Sequence, residues 1–311
     1  MNQATRTPPS GTQSRWVRFG IYAGGAVVLL ALLVLGARWL TGTGPGADFM
    51  ADYPGHVPLP PSAPVGLPAW LGWQHFLNAF FLVLMVQTGW KVRTTQRPAA
   101  HWVRNNKGLL KTKKAPKRIS LDLWLHLSLD VLWVVNGLVF LVLLFTTGQW
   151  RRIVPTSWDI VPNAVSAGLQ YLSLNWPLEN GWVNYNSLQL LTYFLTVFIA
   201  APLAIITGLR MSSIWPSKAK KLNRVYPIEA ARAVHFPVML YFVLFVIAHV
   251  TLVLSTGALR NLNHMFAARD AQGWLGFVIF AIAVVVMVGA SLLARPIFVG
   301  PIASLMGKVS R

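Results

Sequence analysis

The sequence predicts an all-α integral membrane protein with about six transmembrane helices, on three observations. First, only 11% of the 311 residues are charged while 55% are hydrophobic, with a mean hydropathy of +0.53; soluble domains carry roughly 25% charged residues. Second, six apolar runs approach the ~20 residues that a bilayer-spanning helix needs. Third, the basic residues cluster between alternate runs. An ordinary cytosolic enzyme is excluded.

The first run, 20–40, follows Arg15 and Arg18 and precedes the small residues Gly42, Gly44, Gly46 and Ala47. Its length of about 21 residues favours an uncleaved anchor over the ~7–15 of a signal-peptide core. Residues 1–19 then form a cytoplasmic tail, and 41–69, rich in Gly, Pro and Ser, an irregular external linker. The second to fifth runs, 70–90, 121–146, 188–207 and 235–254, make a four-helix core within 70–257. The sixth, 274–293, belongs to a C-terminal segment, 258–311, that ends in a cytoplasmic tail. Segment 148–186 is long for a connector and reads as a packed lid. Its stretch 164–174 suits a short amphipathic helix at the membrane surface, with Trp150, Trp158, Trp176 and Trp182 as an interfacial belt. No internal repeat is apparent.

A formal charge of +19 would suggest nucleic acid in a soluble protein. Counted by loop, however, 22 Lys and Arg fall on the side of the tails, 91–118 and 210–232, against 5 on the other. Membrane topology alone explains that split, with both termini and those loops cytoplasmic. Nucleic acid is not an expected partner. The absence of Cys rules out disulfides, Cys-ligated iron-sulfur clusters and thiolate haem ligands.

Four of the seven His lie inside apolar runs: His75, His126, His235 and His249. Ionisable residues at membrane depth are functional candidates. His235 and His249 are 14 residues apart, close to four helical turns and about 21 Å of rise, so both leave the fifth helix on one face. By depth, His75 pairs with His249 and His126 with His235. Two stacked bis-imidazole sites in a four-helix bundle (helices two to five) are what two b-type haems require, whereas zinc would need further ligands. His56, His101 and His264 read as solvated loop residues.

Trp73-Gln74-His75-Phe76-Leu77-Asn78, Tyr185-Asn186-Ser187-Leu188-Gln189 with Tyr193, Thr207-Gly208-Leu209, and Arg232-Ala233-Val234-His235-Phe236 with His249 carry a family likeness. They resemble the di-haem b-type cytochrome subunits of nickel-iron hydrogenase, formate dehydrogenase and thiosulfate reductase, the bacterial cytochrome b561-like family. Cytochrome b of the bc complexes carries the 14-residue His spacing on two helices, and only helix five has it here. The resemblance implies two haem b held by the four histidines, an exchangeable quinone, and a catalytic partner of the hydrogenase or molybdenum-enzyme type. It also implies the cytoplasmic (inner) membrane of a bacterium, with lipid around the bundle. The extra first helix inverts the core relative to formate dehydrogenase.

Arg232, three residues before His235, suits a bond to a haem propionate, and equally a topology-setting Arg. Asp122 and Asp130 flank His126 on one helix face. Asp130 reads as a bonded structural acid or a quinone-site proton group. Helix two offers no mid-helix glycine for haem clearance; Gly137 and Gly208 are candidates on helices three and four. The resemblance places quinone beside His249 and His75, with the partner docked on 107–118 and 218–224. The competing arrangement docks the partner on 148–186, with quinone near Asp130 and His126. No nucleophile with a base and no acid pair appears, so electron transfer, not catalysis, is expected, with a proton-coupled transporter or channel using the intramembrane His and Asp, or a free-standing quinone-linked cytochrome, as the alternatives.

Overall fold

The computed structural model describes residues 15–107, 111, 115–177, 180–216 and 218–310. In chain order the helices open with α1 (Arg15–Gly42), α2 (Gly44–Asp52) and α3 (Ala69–Thr94). Strands β1 (His101–Arg104) and β2 (Ile119–Ser120) precede α4 (Leu121–Thr146), and α5 (Ile160–Leu172) follows a 3-10 turn at Gln149–Arg152. Then come α6 (Ser187–Phe194), a π-helical stretch at Leu195–Ala200, α7 (Ala201–Met211), α8 (Lys220–Val225) and α9 (Ile228–Ser255). Last are α10 (Ala258–Phe266), α11 (Leu275–Leu293), α12 (Pro296–Ser304) and β3 (Gly307–Ser310). The tail before Arg15 and parts of the basic loop 107–118 lie outside the described residues.

Among the described residues six helices are long and apolar enough to cross a membrane: α1, α3, α4, α6 continued into α7, α9 and α11. No more than 17% of the most apolar stretch of any of them is buried within the protein. Such apolar exposure suits lipid as the surrounding solvent. The ends follow local chemistry. Ser120 caps α4, its Oγ accepting from the Leu123 N–H at 3.1 Å, and Asp122 sits in the first turn. Lys91 and Arg93 close α3, and Pro227 and Glu229 open α9. The fourth span widens just before Pro202, which has no N–H to offer residue 198, and a π-helical stretch fills the gap.

Three elements differ from the sequence expectation. The 41–69 linker contains α2, whose first turn holds Pro45 and whose cap Thr43 accepts from the Gly46 N–H at 3.2 Å. The surface helix α5 starts at Ile160, a turn earlier than expected. The chain also forms a small antiparallel sheet, ordered β2-β1-β3, in which Trp102 pairs with Ile119 and with Val309.

The chain divides into two compact units. The first comprises Met1–Val57, Asp159–Leu178 and Asn186–Leu188. Within it α1 runs beside α5, and the Gly55 N–H donates to Asn163 Oδ1 at 2.9 Å. The second comprises Pro58–Trp158, Glu179–Tyr185 and Gln189–Arg311. Here α3 packs on α4, α7 packs on α9, and α10 sits against α3 and α11. Trp133 Nε1 donates to Asn78 Oδ1 at 3.0 Å, tying α4 to α3 in mid-span. Among the described residues α3 and α9 do not pack closely backbone to backbone, which leaves a slot between the two helix pairs.

Candidate functional site

All four intramembrane histidines belong to the second unit, on α3, α4 and α9. The structure brings His75 of α3 to His249 of α9, with ring centroids 6.1 Å apart and planes inclined by 52°. Two imidazoles that ligate one metal from opposite sides, at about 2.0–2.1 Å per nitrogen, have ring centres about 6 Å apart. Phe245 stacks on His249 at 5.5 Å, Tyr193 meets it edge-on, and Phe266 of α10 meets His75 edge-on. The Nδ1 of His75 is buried without a hydrogen-bond partner.

At the other level, His126 of α4 and His235 of α9 lie within electrostatic reach of each other and of Asp130. Asp130 Oδ1 is 3.9 Å from His126 Nε2. Thr88 Oγ1 is 2.9 Å from His126 Nδ1, and Thr207 Oγ1 is 2.8 Å from His235 Nδ1. A Cβ on Gly89 would stand 3.2 Å from the His126 ring, and one on Gly208 would stand 3.8 Å from that of His235. Gly89, passed over in the sequence as a helix-end residue, thus gives the closest ring clearance, whereas Gly137 faces open space. Arg232 is exposed on α9.

Beside the first pair lies a polar cap that the sequence did not reveal. His264 is not a solvated loop residue: it sits on α10, 3% exposed, against the Trp182 ring. Its Nε2 is 2.8 Å from Asp270 Oδ1, and Arg260 donates to both Asp270 oxygens at 2.8 and 3.0 Å. These bonds, from Arg260 and then from His264, hold the Asp270 carboxyl well below the usual carboxylate range. A depressed acid stabilises the fold above its unfolded value of about 3.9, and that contribution is lost only as pH falls through the lower folded value. Arg152, 1% exposed, donates to the Gly66 and Gly181 carbonyls at 2.7 and 2.6 Å and lies over the Tyr185 ring. Burial pushes the Tyr185 hydroxyl up, opposed by the Arg152 charge. Gly66 is at φ +88°, and a Cβ there would run into the Trp182 ring at 2.7 Å. Glycine is required at that approach.

Among the described residues no three or more His, Cys, Asp or Glu side chains converge as a bare-metal site. Facing pairs of imidazoles fit a metal whose remaining ligands come from a macrocycle. A groove of about 440 Å³, lined by Gln87, Trp90, Lys91, Met239 and Val243 among others, opens between α3 and α9. It lies toward the His126–His235 end, since its lining residue Gln87 precedes Thr88, which contacts His126, and Met239 is one turn from His235.

No solved structure matches the chain. A putative protein-methionine-sulfoxide reductase subunit, YedZ1, of Azospira oryzae is 28% identical over 199 residues, covering 60% of this chain and 88% of that protein. The family model for prokaryotic cytochrome b561 matches residues 66–268, which take in all four histidines and the whole slot. The chain belongs to the prokaryotic cytochrome b561 family, and is thus a multi-pass bacterial membrane cytochrome of the haem b, electron-transferring kind.

Proposed function

We propose that this chain is the membrane subunit of a redox complex, holding two b haems that link a separate catalytic subunit to membrane quinone. The observation that carries the reading is the pair of imidazole sets at two levels of one bundle, each using one histidine of α9. When bound, haem b supplies a one-electron iron couple. His75 with His249 would hold one haem, and His126 with His235 the other, each through two imidazole nitrogens. The Azospira relative is named as a reductase subunit, which supports a catalytic redox partner. The 22 to 5 distribution of basic residues supports an inner-membrane protein with both termini cytoplasmic. A reporter fused at Lys117 is then active in the cytoplasm, and activity on the other side overturns the orientation.

The position of the groove and of Asp130 favours quinone at the His126–His235 level, with the partner docked on segment 148–186. Asp130 is placed to hold a proton at its carboxylate, and the apolar groove walls exclude water. A quinone analogue is expected to shift the spectrum of the haem lost in His235→Ala and leave the other unchanged. A shift confined to the haem lost in His249→Ala reverses the arrangement. A folded but colourless protein rejects the whole reading and promotes a proton-coupled transporter.

A further inference from the structure

The His126–His235 level has a feature that the other level lacks. Thr88 and Thr207, 0% and 1% exposed, stand on different helices yet make the same contacts. Thr88 Oγ1 is 2.8 Å from the Leu84 carbonyl four residues back and 3.2 Å from that of Met85. Thr207 Oγ1 is 2.6 Å from the Leu203 carbonyl and 3.0 Å from that of Ala204. A hydroxyl has one hydrogen to give, and in both cases a backbone carbonyl stands ready to take it. With the hydrogen given there, each threonine accepts from the imidazole and Nδ1 carries the ring hydrogen.

The match extends along the chain. Each threonine is followed by the glycine under the same imidazole, then by one further residue and a basic one: Thr88-Gly89-Trp90-Lys91 and Thr207-Gly208-Leu209-Arg210. Both basic residues tie down a backbone carbonyl, Lys91 that of Ala294 at 2.9 Å and Arg210 that of Tyr226 at 2.7 Å. The helix pairs α3–α4 and α7–α9 thus present one device twice across the slot.

We infer that the Thr88-Gly89 and Thr207-Gly208 doublets are twin clamps that fix His126 and His235 in the Nδ1–H tautomer, turning both Nε2 lone pairs toward one shared ligand. The inference rests on the proposed haem ligation. The glycine lets each ring lie against the helix, and the threonine stops it rotating. An acceptor behind Nδ1 raises the basicity of Nε2, which stabilises ferric over ferrous iron. His75 Nδ1 has no such acceptor. The clamps therefore lower the potential of one haem and leave the other as an internal reference.

The test replaces each threonine by Val, which keeps the shape and removes the acceptor, and by Ser, which restores it. Thr88→Val and Thr207→Val are expected to weaken haem retention at the His126–His235 level by about 10–100-fold and to raise its potential, with the second haem unmoved. Ser variants recover both properties, which a packing role alone would not produce. Val variants of unchanged potential, or Ser variants as altered as Val, overturn the clamps. If instead His126→Ala and His235→Ala leave haem content intact, the ligation itself fails. The clamps are then judged on haem-free protein by the imidazole ¹⁵N shifts: an Nδ1–H tautomer lost in the Val variants supports them, and an Nε2–H tautomer overturns them.

Discussion

His249→Ala protein is expected to lose one low-spin haem and keep the other, and His235→Ala protein to do the reverse. On the proposed ligation, content is expected to fall from about two haems per chain to about one in each case, because a site that loses one of its two imidazoles no longer holds its haem firmly. The two sites are independent enough for this, since Phe242 stands midway between His235 and His249 on α9 and packs on Trp133 with ring centroids 6.3 Å apart. The pairing has its own check. His75→Ala should reproduce the His249→Ala spectrum, and His126→Ala that of His235→Ala. If His75→Ala removes the haem lost in His235→Ala, the two levels have been wrongly matched.

Arg152→Ala has the largest expected effect on stability outside the histidines. The side chain is 1% exposed and makes two charge-assisted bonds, to Gly66 and Gly181. The Gly66 carbonyl keeps Gln149 Nε2 as a partner at 3.1 Å. Bonds of this kind contribute about 1.5–3 kcal/mol each, so the loss is roughly 3–6 kcal/mol. Arg152→Lys is not expected to rescue it, since one ammonium cannot reproduce the guanidinium fork over the Tyr185 ring. Thermal unfolding in detergent, with amide exchange around Gly181, measures the effect. An unchanged transition would show that the cap does not depend on this cation.

How much of this was legible in the sequence depends on the range of the interaction involved. The six spans were, because a bilayer imposes length and apolarity residue by residue. The histidine levels were, because helical rise converts position in a span into depth. His264 was misjudged because its burial depends on Trp182 and Asp270, contacts that no local pattern encodes. The sheet escaped for the same reason: β1 takes its partners from Ile119 and from Gly307–Ser310. Thr88 and Thr207 were hidden in another way. A threonine bonded to its own helix is unremarked in any apolar span, and its second role appears only when a histidine 38 or 28 residues away is folded against it. The echo Thr-Gly-x-basic is four residues long, too short to stand out as a repeat.

The sharing of α9 between the two histidine pairs bears on how the protein is assembled. His75 and His126 emerge during synthesis more than a hundred residues before His235, and each meets its opposite number only when α9 arrives. On the proposed ligation, a chain halted before Ile228 can offer any haem a single imidazole and nothing across from it. Cofactor capture is thus gated by insertion of the fifth span. Once α9 enters, both sites are completed in one event, so partly loaded chains should be scarce in the mature membrane, and haem-free chains should accumulate when α9 is delayed.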